Sequence, residues 1–100
     1  MTTEYQPIVR PDFDAARVKG AMSEMIGAVG EDLEREGLRE TPDRVARMYE
    51  EIFAGLHQDP IAVLQTGFDE GYDEMVVARD ISFFSMCEHH FLPFFGTVHI

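Results

Sequence analysis

Residues 74–100, EMVVARDISFFSMCEHHFLPFFGTVHI, are the stretch of this sequence that decides the fold. Residues 75–84 are rich in β-branched and aromatic side chains, which predicts a strand, either unbroken or bulged at Arg79–Asp80. A polar cluster over residues 85–90 interrupts the apolar pattern, and residues 91–100 begin a second strand. The stretch therefore predicts an antiparallel pair of strands with polar chemistry between them.

An amphipathic helix is predicted well before these strands, between about Asp14 and Val29. Apolar side chains recur there three and four residues apart, the spacing of one helix face. Asp12 or Asp14 is suited to begin this helix, and Gly30 is suited to end it.

A second helix is predicted from Thr41, which is a good N-cap, with Pro42 at the first helical position. We expect Gly55 to end this helix in a left-handed conformation. Its apolar stripe consists of Val45, Met48, Tyr49, Ile52, Phe53 and Leu56.

The chain divides by composition into three parts, and helices followed by antiparallel strands define an α+β fold. Residues 1–13 are predicted to be a flexible arm, residues 14–66 a helical region, and residues 67–100 the start of a sheet. The helical region includes a short turn of helix from Pro60 through Leu64, and a loop follows at residues 67–71. Because the second strand reaches Ile100 without a following partner, we expect these residues to be the front part of a longer protein; a small domain that ends there is the alternative.

Composition excludes several classes of function. The 8 Lys and Arg residues against 19 Asp and Glu give a net charge of −11, which argues against a nucleic-acid or anionic-membrane surface. No apolar run reaches the roughly 18 residues of a membrane span, and the N-terminus lacks the apolar segment of a secretory signal. With a single cysteine, the sequence is expected to be cytoplasmic.

The chemistry is concentrated in Cys87-Glu88-His89-His90. Cys87 and His90 are three residues apart, so a turn can direct a thiolate and an imidazole at one ion, and this pair of donors suits Zn²⁺. His89 would point elsewhere and act as a general acid and base. A third ligand must come from another part of the protein. Within these residues His57, His99 and the carboxylates are the candidates. His99 could reach back from its strand, but a strand position nine residues on usually faces a core or a partner strand.

Two other interpretations of this cluster remain open. A thiolate activated by a neighbouring imidazole could be a nucleophile, with Cys87 and a histidine as the pair. A non-catalytic zinc-stabilised interaction domain would need four protein ligands, and one cysteine makes that set poor.

Two blocks of the chain resemble the GTP cyclohydrolase I family. Residues 74–96, EMVVARDISFFSMCEHHFLPFFG, are similar to the family's active-site segment, and residues 37–49, GLRETPDRVARMY, are similar to its upstream block. The blocks follow the family's order, and the resemblance extends over nearly all of the chain from about residue 14. Leu33 departs from the family pattern, in which proline is frequent at this place.

The resemblance implies a zinc enzyme that hydrolyses the imidazole ring of GTP, releasing formate and giving 7,8-dihydroneopterin triphosphate for folate and other pterins. It implies that Cys87 and His90 are zinc ligands and that His89 is a catalytic histidine. Arg44 and Arg47 match positions that bind the triphosphate; an Arg47–Glu51 pair on a solvated helix face is the alternative.

The resemblance also implies a tunnelling fold, incomplete in this chain, and a toroidal homodecamer with active sites at subunit junctions. The family's second half supplies the third zinc ligand, a cysteine, and the residue that recognises guanine. The 100 residues alone are therefore expected to be inactive toward GTP and to associate through the exposed strand edge. An inactive fragment of the enzyme is the alternative to the enzyme itself.

Overall fold

The computed structural model describes residues 4–6, 8–67, 69 and 71–100. Helices come first and a two-stranded antiparallel sheet follows, which confirms the α+β class. Residues 1–3 and 7 of the predicted arm, and residues 68 and 70 of the predicted loop, lie outside the described residues. The elements are α1 (Ala15–Ala28), α2 (Thr41–Ile52), a 3₁₀ turn (Ala54–His57), α3 (Pro60–Leu64), β1 (Ile81–Met86) and β2 (Pro93–Val98).

The first helix begins and ends where the sequence predicts. Asp14 is the N-cap, and its carboxylate accepts a hydrogen bond of 3.0 Å from the Arg17 backbone N–H. The chain leaves the helix through Gly30, whose φ of +94° is a conformation that glycine adopts without strain. Of the two candidate starts, Asp14 is therefore the one the backbone uses.

Substitution of Asp14 by alanine is expected to destabilise the chain by about 1 kcal/mol, the usual cost of losing an N-cap acceptor. Urea unfolding followed by far-UV circular dichroism measures this loss. Asp12→Ala is the matched control, since Asp12 is an exposed aspartate two residues earlier. Equal destabilisation by the two substitutions would contradict the assignment of the cap to Asp14.

The second helix begins differently from the sequence prediction. Glu40 rather than Thr41 is the N-cap, and no side chain caps this end. Turns over residues 33–40 bring the chain into the helix already in helical conformation, so Thr41 lies inside the helix and its hydroxyl donates to the Gly37 carbonyl at 3.4 Å. The predicted left-handed cap at Gly55 is also wrong, because α2 ends at Ile52 and Gly55 lies in the 3₁₀ turn.

The two long helices pack against each other through apolar side chains. Ile26 of α1 and Ala46 of α2 are 4% and 5% exposed. Lys19 and Asp43 form an ion pair of 3.1 Å across the same interface, at a largely exposed position where such pairs contribute little. The apolar contact is therefore what holds α1 on α2.

The two strands pair in one register from Ile81 with Val98 to Met86 with Pro93. Beyond this ladder, Ala78 and Ile100 exchange two backbone hydrogen bonds of 2.7 and 2.8 Å. Two residues, Arg79 and Asp80, thus lie opposite one, and this arrangement is a β-bulge. The structure confirms the bulged alternative of the sequence prediction, although the regular strand begins only at Ile81 and not near residue 75.

Large apolar side chains remain exposed on the sheet. Phe84 and Phe95 are cross-strand partners and are 52% and 89% exposed. Contiguous exposed apolar surface of this kind is typical of a face that another part of a protein covers.

Candidate functional site

The Cys-Glu-His-His cluster forms the loop that joins β1 to β2, at residues 87–92. The Cys87 N–H donates to the Leu92 carbonyl at 2.9 Å, which extends the ladder by one pair. In return the Leu92 N–H donates to the Cys87 sulfur, Sγ, at 3.4 Å. The hairpin therefore closes on the cysteine side chain itself.

Backbone amides around the sulfur favour the thiolate. The N–H groups of Leu92 and then His90 lower the pKa of the Cys87 thiol below its ordinary value, with smaller contributions from Phe91 and His89. Removal of the half-buried side chain from water opposes this lowering without cancelling it. A thiolate is the form in which cysteine binds a metal or acts as a nucleophile, so the loop prepares Cys87 for either chemistry.

Helix α2 holds the loop in place through aromatic contacts. The ring centroid of Phe91 lies 5.3 Å from that of Phe53 and 6.1 Å from that of Tyr49. Tyr49 and Phe53 are in turn 5.8 Å apart in an edge-to-face arrangement. The block of residues 74–96 thereby packs onto the end of the block of residues 37–49 and the residues directly after it.

The rings of the two loop histidines differ in orientation. The rings of His89 and His90 are 6.2 Å apart and inclined at 83°, and both side chains are exposed. This divergence agrees with separate roles for the two imidazoles.

The loop residues fit a soft divalent metal in donor type but supply only part of a coordination shell. A thiolate and an imidazole are ligands that zinc prefers. Over residues 4–6, 8–67, 69 and 71–100, no three His, Cys, Asp or Glu side chains come close enough together to hold an ion. Any complete shell would thus need a donor from outside these ranges.

His99 does not reach back to the cluster, in agreement with what is usual for a strand position nine residues on. It lies at the opposite end of the hairpin, roughly 20 Å along β2 from the loop. Its Nδ1 accepts a hydrogen bond of 2.9 Å from the backbone N–H of Asp80, so the imidazole supports the bulge. His57, the other candidate, lies in the 3₁₀ turn and lines a different cavity, beside the N-terminal residues.

An open cleft of about 630 Å³ lies beside the cysteine, a size suited to a small-molecule ligand. The loop forms one wall of the cleft, and the C-terminal end of α2 with the 3₁₀ turn forms another. Arg10 is the cation among the described residues that line it. The sequence alone gives no indication of this position for Arg10, because a lone arginine in a segment without periodicity carries no signal.

Arg44 and Arg47 are exposed on α2 and are absent from the lining of this cleft. At about 100° per residue they lie on the side of the helix opposite Tyr49, which contacts the loop. Arg44 pairs with Glu40 at 3.2 Å, whereas the alternative Arg47–Glu51 pair is not formed between these two described residues. Their part in triphosphate binding stays a prediction.

In the described part of the chain, no helix combines the length and the apolar character needed to cross a membrane.

Fold and site together define an α+β protein whose reactive groups lie in one thiol–imidazole hairpin loop. The family profile of GTP cyclohydrolase I matches residues 18–100. The chain belongs to the GTP cyclohydrolase I family.

Curated relatives agree with this assignment. The chain is 57% identical over 89 residues to GTP cyclohydrolase 1 of Corynebacterium glutamicum (strain R), covering 89% of this chain and 45% of that protein. It is 60% identical over 88 residues to GTP cyclohydrolase 1 of Streptomyces griseus, covering 88% and 44%. GTP cyclohydrolase 1 of Dehalococcoides mccartyi is 57% identical over 88 residues, covering 88% and 47%. The chain spans about half the length of these relatives.

Proposed function

We propose that this chain is the N-terminal part of a zinc-dependent GTP cyclohydrolase I. The reaction would open the guanine imidazole ring of GTP and give formate and 7,8-dihydroneopterin triphosphate, the first step toward tetrahydrofolate and other pterins. The observation that carries the proposal is the Cys87 sulfur facing backbone amides, with His90 three residues later, in a chain that belongs to this family.

Cys87 and His90 would hold the metal, with a third ligand from outside the described residues. The Leu92 N–H donates to the sulfur and would stabilise its negative charge before and after an ion binds. Bound there, Zn²⁺ would supply a Lewis acid that activates water for attack at C8 of the guanine ring.

His89 would move protons during ring opening. Its ring is exposed and turned 83° from that of His90, so it is free to face the substrate while His90 binds the ion. An imidazole is suited to this role because its ordinary pKa lies near neutrality and it both accepts and donates a proton.

Arg44 and Arg47 would contribute to triphosphate binding across a subunit junction. Both side chains are exposed on the face of α2 that is turned away from their own loop, which favours a site shared with a neighbouring subunit. The exposed Phe84 and Phe95 support continuation of the sheet in a tunnelling fold and assembly into a homodecamer. The proposed three-part organisation places residues 1–13 as a flexible arm, 14–66 as the helical region and 67–100 as the start of this sheet.

We propose that the protein is located in the cytoplasm and that it binds neither nucleic acid nor a membrane. A net charge of −11 and a single cysteine support this part of the proposal.

A hybrid protein tests the proposal, with residues 1–100 joined to the second half of the Corynebacterium glutamicum relative. We expect the purified hybrid to contain zinc and to release formate from GTP, because this chain is 57% identical to the part of the relative that it replaces. The rate should lie within about tenfold of the parent enzyme, whose turnover we expect in the usual range of about 1 to 1000 per second. Residues 1–100 alone should release none. A folded, zinc-containing hybrid without formate release would refute the proposed reaction.

Alkylation of Cys87 separates this function from a thiol enzyme. A zinc ligand is protected by the metal, so iodoacetamide should modify the hybrid at least about tenfold more slowly with zinc bound than after chelation. A nucleophilic cysteine would react equally fast in both states.

A further inference from the structure

We propose that Phe91 is the positioning residue of the Cys87 loop. Its ring, anchored on Tyr49 of α2 and on Phe53 at the end of that helix, maintains the left-handed backbone that turns the Leu92 N–H toward the sulfur. The consequence for metal binding rests on the proposed function, whereas the effect on the loop does not.

The backbone at Phe91 is in a conformation that an aromatic residue rarely adopts. Its φ is +56°, in the left-handed region where the Cβ atom crowds the backbone of any residue except glycine. Residues 88–90 form a turn immediately before it. A turn followed by a left-handed residue directs successive N–H groups into one concavity, which favours an anion. Here the occupant is the Cys87 sulfur, 3.4 Å from the Leu92 nitrogen.

The ring of Phe91 supplies a force that opposes this strain. It contacts the rings of Phe53 and Tyr49 at centroid distances of 5.3 and 6.1 Å, although the residue as a whole is 53% exposed. These are ordinary separations for favourable aromatic pairs. If Phe91 relaxed to a negative φ, its ring would leave the helix and the Leu92 N–H would turn away from the sulfur.

This arrangement couples two distant parts of the sequence. Tyr49 lies on α2 and Phe53 directly after its last residue, and the loop that bears the reactive groups lies about forty residues later. Phe91 directly follows His90, so its φ sets the path of the backbone after the second proposed ligand. The end of the helix therefore acts on the surroundings of the Cys87 sulfur through one side chain.

Amide hydrogen exchange on residues 1–100 tests the effect on the loop. In Phe91→Ala, which lacks the anchoring ring, protection of the Leu92 amide should fall about tenfold, because a left-handed non-glycine residue is disfavoured by that order. Phe91→Gly should recover part of the protection, since glycine adopts a positive φ freely. Phe95→Ala, at an 89% exposed phenylalanine of the same hairpin, should leave it within about twofold.

The Ala46 amide, in the buried helix interface, reports whether a variant remains folded. Phe53→Leu reaches the same contact from the helix and should lower Leu92 protection without altering the loop sequence. Unchanged Leu92 protection in Phe91→Ala, or an equal loss at Leu92 and Ala46 in both Phe91→Ala and Phe53→Leu, would overturn the proposal.

Cobalt binding to the hybrid protein tests the effect on the metal site, with the thiolate-to-cobalt absorption band as the signal. Phe91→Ala should weaken Co²⁺ binding by about 10- to 100-fold, as loss of a supporting residue does, and Phe91→Gly should weaken it less. If the unsubstituted hybrid binds no cobalt, the proposed zinc function fails, whereas Leu92 protection still decides the role of Phe91 in the loop. Equal cobalt affinity in Phe91→Ala and the unsubstituted hybrid would overturn the positioning role.

Discussion

Replacing Cys87 by serine is expected to remove zinc and catalytic activity together from the hybrid protein. A serine hydroxyl does not ionise near neutral pH, so the negative charge that would hold the ion is lost. The Leu92 N–H would then face a neutral oxygen in place of a sulfur whose thiolate form it favours. We expect zinc affinity to fall by more than the roughly 100-fold that loss of a supporting residue causes.

Elemental analysis of the purified variant and a formate assay measure the two losses. Ser82→Ala is the matched control, because Ser82 is an exposed position of β1, the strand that leads to Cys87, at the end remote from the loop. It should keep both zinc and activity. Stoichiometric zinc in folded Cys87→Ser would show that Cys87 is not a ligand.

The neighbouring histidines are expected to fail in different ways. In the hybrid, His90→Ala should lose the metal, because it removes one of the two donors that the loop offers. His89→Ala should keep the metal and lose turnover by about 10²- to 10⁴-fold, the usual contribution of a general acid and base. The 83° between the two rings is the structural reason to expect separate effects.

Zinc content and formate release, measured on both variants, give a two-by-two comparison in which each substitution is the control for the other. Both side chains are exposed and the residues are adjacent, so a general disturbance of the loop would affect both variants alike. Loss of zinc in His89→Ala would mean that the roles are exchanged or shared.

Local patterns were sufficient for much of the fold. Helical spacing of apolar residues and the aspartate at position 14 located α1, and Pro60 located the start of α3. Enrichment in β-branched and aromatic residues predicted the strands and, as one alternative, the bulge at Arg79–Asp80. These features depend on neighbours a few residues apart, which is the range over which spacing and capping act.

Predictions failed where a local preference competed with the path of the chain. Thr41 is a favourable N-cap by residue type, but the preceding turns deliver the backbone in helical conformation one residue early. Gly55 is a favourable residue for a left-handed helix end, but α2 ends at Ile52 and the chain continues into a 3₁₀ turn that includes Gly55.

The sequence by itself determined the order of the elements, the reactive quartet at residues 87–90 and membership of the family. Only the tertiary structure decided that α2 supports the loop through Phe91, that backbone amides face the sulfur, and that Arg10 rather than Arg44 or Arg47 lines the adjacent cleft. The physical reason is one of range. Residue type and spacing act between near neighbours, whereas the Phe91 and Arg10 contacts join distant parts of the chain and form only when the helices and the hairpin have packed. The amides that face the sulfur are near it in sequence, but they depend on a left-handed backbone at Phe91 that its residue type does not favour.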